Sequence, residues 1–136
     1  MSYGNATETD INAKIFKNTA LPFDAITDLY LALHTADPGE AGSQTTSAAT
    51  YTSYARVAVV RSAVGWTVSG ATVENAALVQ FVTCTGGSNT ITHVSIGTVS
   101  SGAGQILVSG ALSSSLSVST GIQPQFSAGA LVFTLD

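Results

Sequence analysis

Charge is scarce in this chain of 136 residues, and what there is lies early. Charged residues make up 9%, against about 25% in an average domain. No lysine or arginine follows Arg61, and only Glu74 and Asp136 carry charge in the last 75 positions. Acid–base catalysis and phosphate binding both draw on charge, so the second half points to neither. Lys14, Lys17, Arg56 and Arg61 form no dense basic patch, which argues against a nucleic-acid partner. Cys84 is the only cysteine, so no internal disulfide and no thiolate cluster for a metal is expected. Its neighbours in Phe81-Val82-Thr83-Cys84 suit a small core residue. No apolar run approaches the roughly 20 residues of a membrane span. The first ten residues have neither the basic region nor the apolar core of a secretory signal, and a chain folding in a cytoplasm is expected.

What is present is Ser, Thr, Gly, Ala and Val in short alternating runs. The apolar fraction, 45%, is ordinary, and disorder would require lower hydrophobicity and more charge. One helix is predicted, over residues 7 to 18. Thr7 and Asp10 resemble a capping box, Ile11 and Ile15 form an i, i+4 pair widened by Ala13 and Phe16, and Lys14 and Lys17 sit late on the dipole. Pro22 ends the segment. Strands are predicted over 29–34, 54–61, 65–68, 77–83, 90–98, 105–112, 122–126 and 131–135. In the first, Leu29, Leu31 and Leu33 share one face and Tyr30, Ala32 and His34 the other. In the fifth, Ile91, His93 and Ser95 alternate with Thr92, Val94 and Ile96. Asp37-Pro38-Gly39 makes a turn, and Gly39 to Thr52 reads as a flexible surface loop available for contacts.

Short strands punctuated by turns describe an all-β protein: a single antiparallel β-sandwich, jelly-roll-like, over 26–136, with a short N-terminal helix and arm over 1–25. Unblunted strand edges are a pairing hazard usually guarded by charge or proline. Here the guards are few, so much of the surface is expected to be covered by partner subunits.

Candidate chemistry is thin. His34 and Asp37 invite a dyad reading, but no serine or cysteine stands in a nucleophile context, and Asp37 before Pro38 is an ordinary turn residue. His34 and His93 would have to meet and recruit an acid to bind a metal. Gly86-Gly87 and Gly102-Ala103-Gly104 lack the following helix and lysine of a phosphate loop and read as hairpin turns. Asn5-Ala6-Thr7 matches a glycosylation acceptor that means little without a secretory signal. Tyr51, Tyr54, Trp66 and Phe81 could form a sugar-binding platform, although aromatics in strands more often build core. Arg56 and Arg61 sit with opposite parity on one strand, suiting either contacts to a neighbouring subunit or solvation. No catalytic, cofactor-binding or metal-binding residue is assigned, and an enzyme is not expected.

The stretch Leu29-Tyr30-Leu31-Ala32-Leu33-His34-Thr35-Ala36-Asp37-Pro38-Gly39-Glu40-Ala41-Gly42 resembles a family of small tailed-phage virion proteins, often labelled tail fibre proteins. The likeness continues in Tyr54-Ala55-Arg56-Val57, Ala76-Ala77 with Val79-Gln80-Phe81, Ile91 to Ile96, Gly110-Ala111-Leu112 and Phe126 to Leu131. It covers most of the chain after residue 25. The resemblance implies a structural protein of the virion, made in the host bacterial cytoplasm, with no catalytic residues and no cofactor. Small size without repeats or coiled coil favours a capsid decoration or cement protein on the outer head surface. Its implied partners are the major capsid protein or other virion proteins, and sister subunits in a homo-oligomer, a trimer being favoured; neither nucleic acid nor membrane is among them. The alternatives are a tail-tip or fibre-associated protein that binds the host surface, and a carbohydrate-binding adhesin module.

Overall fold

A computed structural model describes residues 1–134. In chain order the elements are β1 (Ser2–Tyr3), α1 (Asn5–Lys17), β2 (Asp28–His34), β3 (Val57–Val60), β4 (Trp66–Ser69), β5 (Thr72–Asn75), β6 (Val79–Gln80), β7 (Ser88–Gly97), β8 (Ile106–Ser119), β9 (Gln125–Phe126) and β10 (Val132–Thr134). The strands form three antiparallel sheets, ordered β1-β8-β7-β2-β3, β10-β5-β4 and β6-β9. The expected class, all-β with one short helix, is what the chain adopts.

One hydrophobic cluster joins all three sheets. Leu31, Leu33, Ile91, Val94 and Ile96 come from the large sheet, Trp66 and Phe133 from the second, and Val79 and Phe81 from the ribbon and its exit. In β2 the alternation works as expected, with Leu31 and Leu33 in the core. Ala32 and His34, on the opposite face, are nevertheless fully buried. The segment 39–52 packs along the end of β2, with Ala48 bridged to His34, and is a packed flap and not the flexible loop expected. Gln44 and Ala49 are buried, Ala49 N–H donates to Leu33 O at 2.8 Å, and Thr35 N–H donates to Ser47 O at 2.8 Å.

Local backbone accounts for the other departures. The register of β7 against β8 jumps between Ile91 and His93, so Ile91 turns into the core beside Val94 and Ile96. The same jump lets β8 run on through Leu112–Ser115, beyond the predicted end of the 105–112 strand; extra residues opposite a shorter partner make a bulge. Strand β5 was not anticipated: Gly70, at φ 60°, turns Ser69 back onto Thr72 in a two-residue hairpin. Strand β1 was not anticipated either, and its two residues pair with Ser109 and Val108. The prediction of a last strand reaching Leu135 lies partly outside the described residues.

The helix also differs from its sequence reading. Its N-cap is Gly4, and no side chain caps it. Thr7 is instead buried in the first turns, its hydroxyl donating to Ile106 O at 3.0 Å. Asp10 accepts from Gln105 Nε2 at 3.0 Å. Asn18 closes the helix in the left-handed conformation, φ 51°.

Candidate interaction surface

Helix α1 is about 20 Å long at 1.5 Å per residue, and Thr7 is its only buried residue. The apolar row read from the sequence faces outward at its end: Ile15 is 65% and Phe16 81% exposed, with Ile11 and Ala13 half-buried. Polar bonds explain this orientation. Thr7 and Asp10 hold one side of α1 against Ile106 and Gln105 at the start of β8, which leaves Ile15 and Phe16 on the side turned away. A helix this short is marginal in water unless its apolar face is covered. On the surface of this chain, that face is not.

A second apolar feature lies between the large sheet and the β10-β5-β4 sheet. It is a cleft of about 540 Å³, lined by Leu29, Trp66, Val73, Ile96, Leu107 and Phe133, with Val68 and Arg61 also on its wall. Val68 is 70% exposed. Trp66 is buried, yet its indole Nε1–H finds no acceptor among the described residues. Arg61 donates to Phe23 O at 2.6 Å and lies over the Phe23 ring, 5.7 Å from its centre. Those contacts go to a carbonyl and a ring face, neither of them a carboxylate.

The other sequence candidates are placed as follows. His34 and Asp37 do not form a dyad. Asp37 Oδ1 accepts from Gly39 N–H at 2.8 Å, closing the turn. His34 Nδ1 lies 2.8 Å from Thr46 O and Nε2 2.7 Å from Ser95 Oγ. A carbonyl only accepts, so Nδ1 carries the proton and Nε2 accepts from the serine hydroxyl. Burial pushes the His34 imidazole below its ordinary pKa, against the raising effect of the Thr46 carbonyl. The Ser95–His34 contact was missed by sequence reading, although His34 and the His93–Ser95 pair could have been aligned from strand parity. Both residues are sealed from solvent, and the His34–Thr46 bond ties the 39–52 flap to the sheet.

His34 and His93 do stand opposite one another in the β2–β7 register, but His93 Nδ1 is 2.9 Å from Thr92 Oγ1. No three potential metal ligands gather among the described residues. Tyr51, Tyr54 and Phe81 form a ladder continued by Phe126, with Tyr54 stacked on Phe81 at 6.3 Å and Tyr51 edge-on to Tyr54 at 5.3 Å. Tyr51, Trp66 and Phe81 are buried and Tyr54 packs against the same core, so all four aromatics offered as a sugar platform are core or its margin, Trp66 also lining the cleft. Burial pushes the Tyr51 phenol up to about 12, and its hydroxyl donates to Val82 O at 3.0 Å. Arg56 reaches Val99 O at 3.0 Å and Gly102 O at 2.7 Å, bracing the 98–105 turn from within the chain. Gly87 and Gly102 take left-handed backbone, as hairpin corners require. Cys84 is buried, its thiol 3.2 Å from Gly86 O.

No helix among the described residues is long and apolar enough to cross a membrane. No curated protein matches the chain. The family described as "Podophage GP4 fiber I protein gp80" matches residues 2–134. That match spans α1, the flap, the cleft and every strand, and this chain belongs to that family of phage fibre-type structural proteins.

Proposed function

We propose that this protein is a multi-copy subunit of the fibre apparatus of a tailed-phage particle, joined to its neighbours through the apolar face of α1. The observation that carries the reading is the outward placement of Ile15 and Phe16 on a helix that contributes one buried residue to its own domain. A fold that needed α1 for its core would have turned that row inward. A subunit whose partner supplies the cover leaves it out, and burial of such a row contributes about 25 cal/mol per Å² of apolar surface. Repetition of one modest contact around a symmetric assembly then multiplies its strength. The work is mechanical: holding neighbours together, with no substrate turned over and no cofactor required.

The second reading, a decoration protein cementing the outer head surface, is favoured by compactness. The described residues contain no coiled coil and no repeat to give a fibre its length, and a small sandwich suits a lattice of major capsid protein subunits. Labelled antibody against this chain, viewed on intact particles with copy number from quantitative mass spectrometry, separates the two. A small fixed set at the tail supports the fibre role; dense label over the head, with copies scaling with the capsid lattice, supports the cement role. Absence of the chain from purified particles contradicts both.

A further inference from the structure

Resting on the reading of a self-associating subunit, we infer that the cleft between the sheets is the seat for α1 of a second copy of this chain. The contact is head-to-tail: the Ile11, Ile15 and Phe16 face of one subunit lies in the cleft of the next.

Three observations converge. The two surfaces match in character, an apolar row on a helix and an apolar-walled cleft of about 540 Å³, which is within the range of about 300–1,000 Å³ typical of built binding sites. Charge sets an orientation. Arg61 is the cation on the cleft wall, while α1 carries Glu8 in its first turn and Lys14 and Lys17 in its last. Glu8 against Arg61 keeps the lysines at the far end, where they do not oppose it. Finally, the cleft cannot take its own helix. Tyr3 lines the cleft and pairs with Val108, after which Gly4 N–H binds Leu107 O and Thr7 binds Ile106 O. The chain is thus led past the start of β8, away from Leu107 and Val108, and return would break those bonds.

A head-to-tail contact uses different patches on the two subunits, so it closes into a ring or propagates. It also permits a test that mutual helix pairing does not. Trp66 is the only tryptophan, so its emission reports the cleft alone. The full chain is followed by sedimentation and by Trp66 fluorescence across concentration, with circular dichroism verifying the fold of each variant. Phe16→Asp and Val68→Asp alter exposed side chains on the helix and on the cleft wall respectively. Each is expected to weaken association by roughly tenfold or more, the loss of a central anchor, and the Trp66 change should share the midpoint of wild-type assembly. Mixing the two variants is the decisive arm: an intact cleft meets an intact helix, and a complex limited to two subunits should form. Association that Phe16→Asp abolishes while Val68→Asp and Trp66 emission are indifferent would move α1 to another seat, overturning this inference and leaving the fibre reading in place. A chain that is monomeric at every concentration would overturn it as well.

Discussion

Replacing Asn75 with alanine should cost more stability than any exposed substitution in this protein, and the size can be worked from its bonds. The side chain is buried at the end of β5. Nδ2 donates to Ala77 O at 2.8 Å and Ser127 O at 2.9 Å, with Phe126 O more distant at 3.4 Å, and Oδ1 accepts from Leu131 N–H at 2.9 Å. One amide therefore ties β5 to the end of β9 and the approach to β10. Alanine leaves two carbonyls and one N–H without partners, at about 1 kcal/mol or more each. The expected loss is about 3–4 kcal/mol, a large share of a total of about 5–15 kcal/mol. Urea unfolding measured by circular dichroism and by Trp66 emission should show a lowered midpoint with an unchanged slope. A loss below about 1 kcal/mol would refute the claim that Asn75 is the joint between the sheets.

Two further outcomes follow from the flap. Because burial lowers the folded pKa of His34, acid protonates the unfolded chain first, below an unfolded value of about 6.5. Stability should therefore fall as pH drops through that value and be flat above it; Arg56 and His93 nearby add to the effect, and Asp37 opposes it weakly. The urea midpoint at mildly acidic and neutral pH checks this, and an equal pH dependence in His34→Gln would contradict it. Gly97→Ala places a methyl against the buried Gln44 side chain, so overpacking should cost about 1–3 kcal/mol. Calorimetry that finds it as stable as the parent would show that Gln44 yields easily.

Much of the architecture was legible because period-two alternation is a strong signal where one face is buried. The spans of β2 and β7 were anticipated to within two residues, and the apolar pattern of Leu31 and Leu33 pointed to the core correctly. Elements whose existence depends on a distant partner were not legible. Two residues of β1 become a strand only by pairing with Val108 and Ser109, and nothing local marks them. The jump in β7–β8 register reverses the parity of Ile91, which no reading of β7 alone could reveal. The 39–52 segment looked like loop because its residues are small and polar; its role is set by Ala32 and His34, whose second face needs cover. For α1 the apolar periodicity was legible, and what would cover it was not. Hydrophobic spacing says that a face will be covered, and is silent on whether the cover comes from the same chain.

That question is the centre of the account, and one measurement addresses it directly. Particles are grown where the chain is supplied only as the Ile15→Asp/Phe16→Asp variant, whose substitutions lie on exposed positions and should leave the melting temperature unchanged. Quantitative mass spectrometry of purified particles then counts the incorporated subunits against the parent. The account predicts a folded variant that is lost from particles. A variant incorporated at parental copy number would contradict it, showing that the outward face of α1 is not the assembly surface.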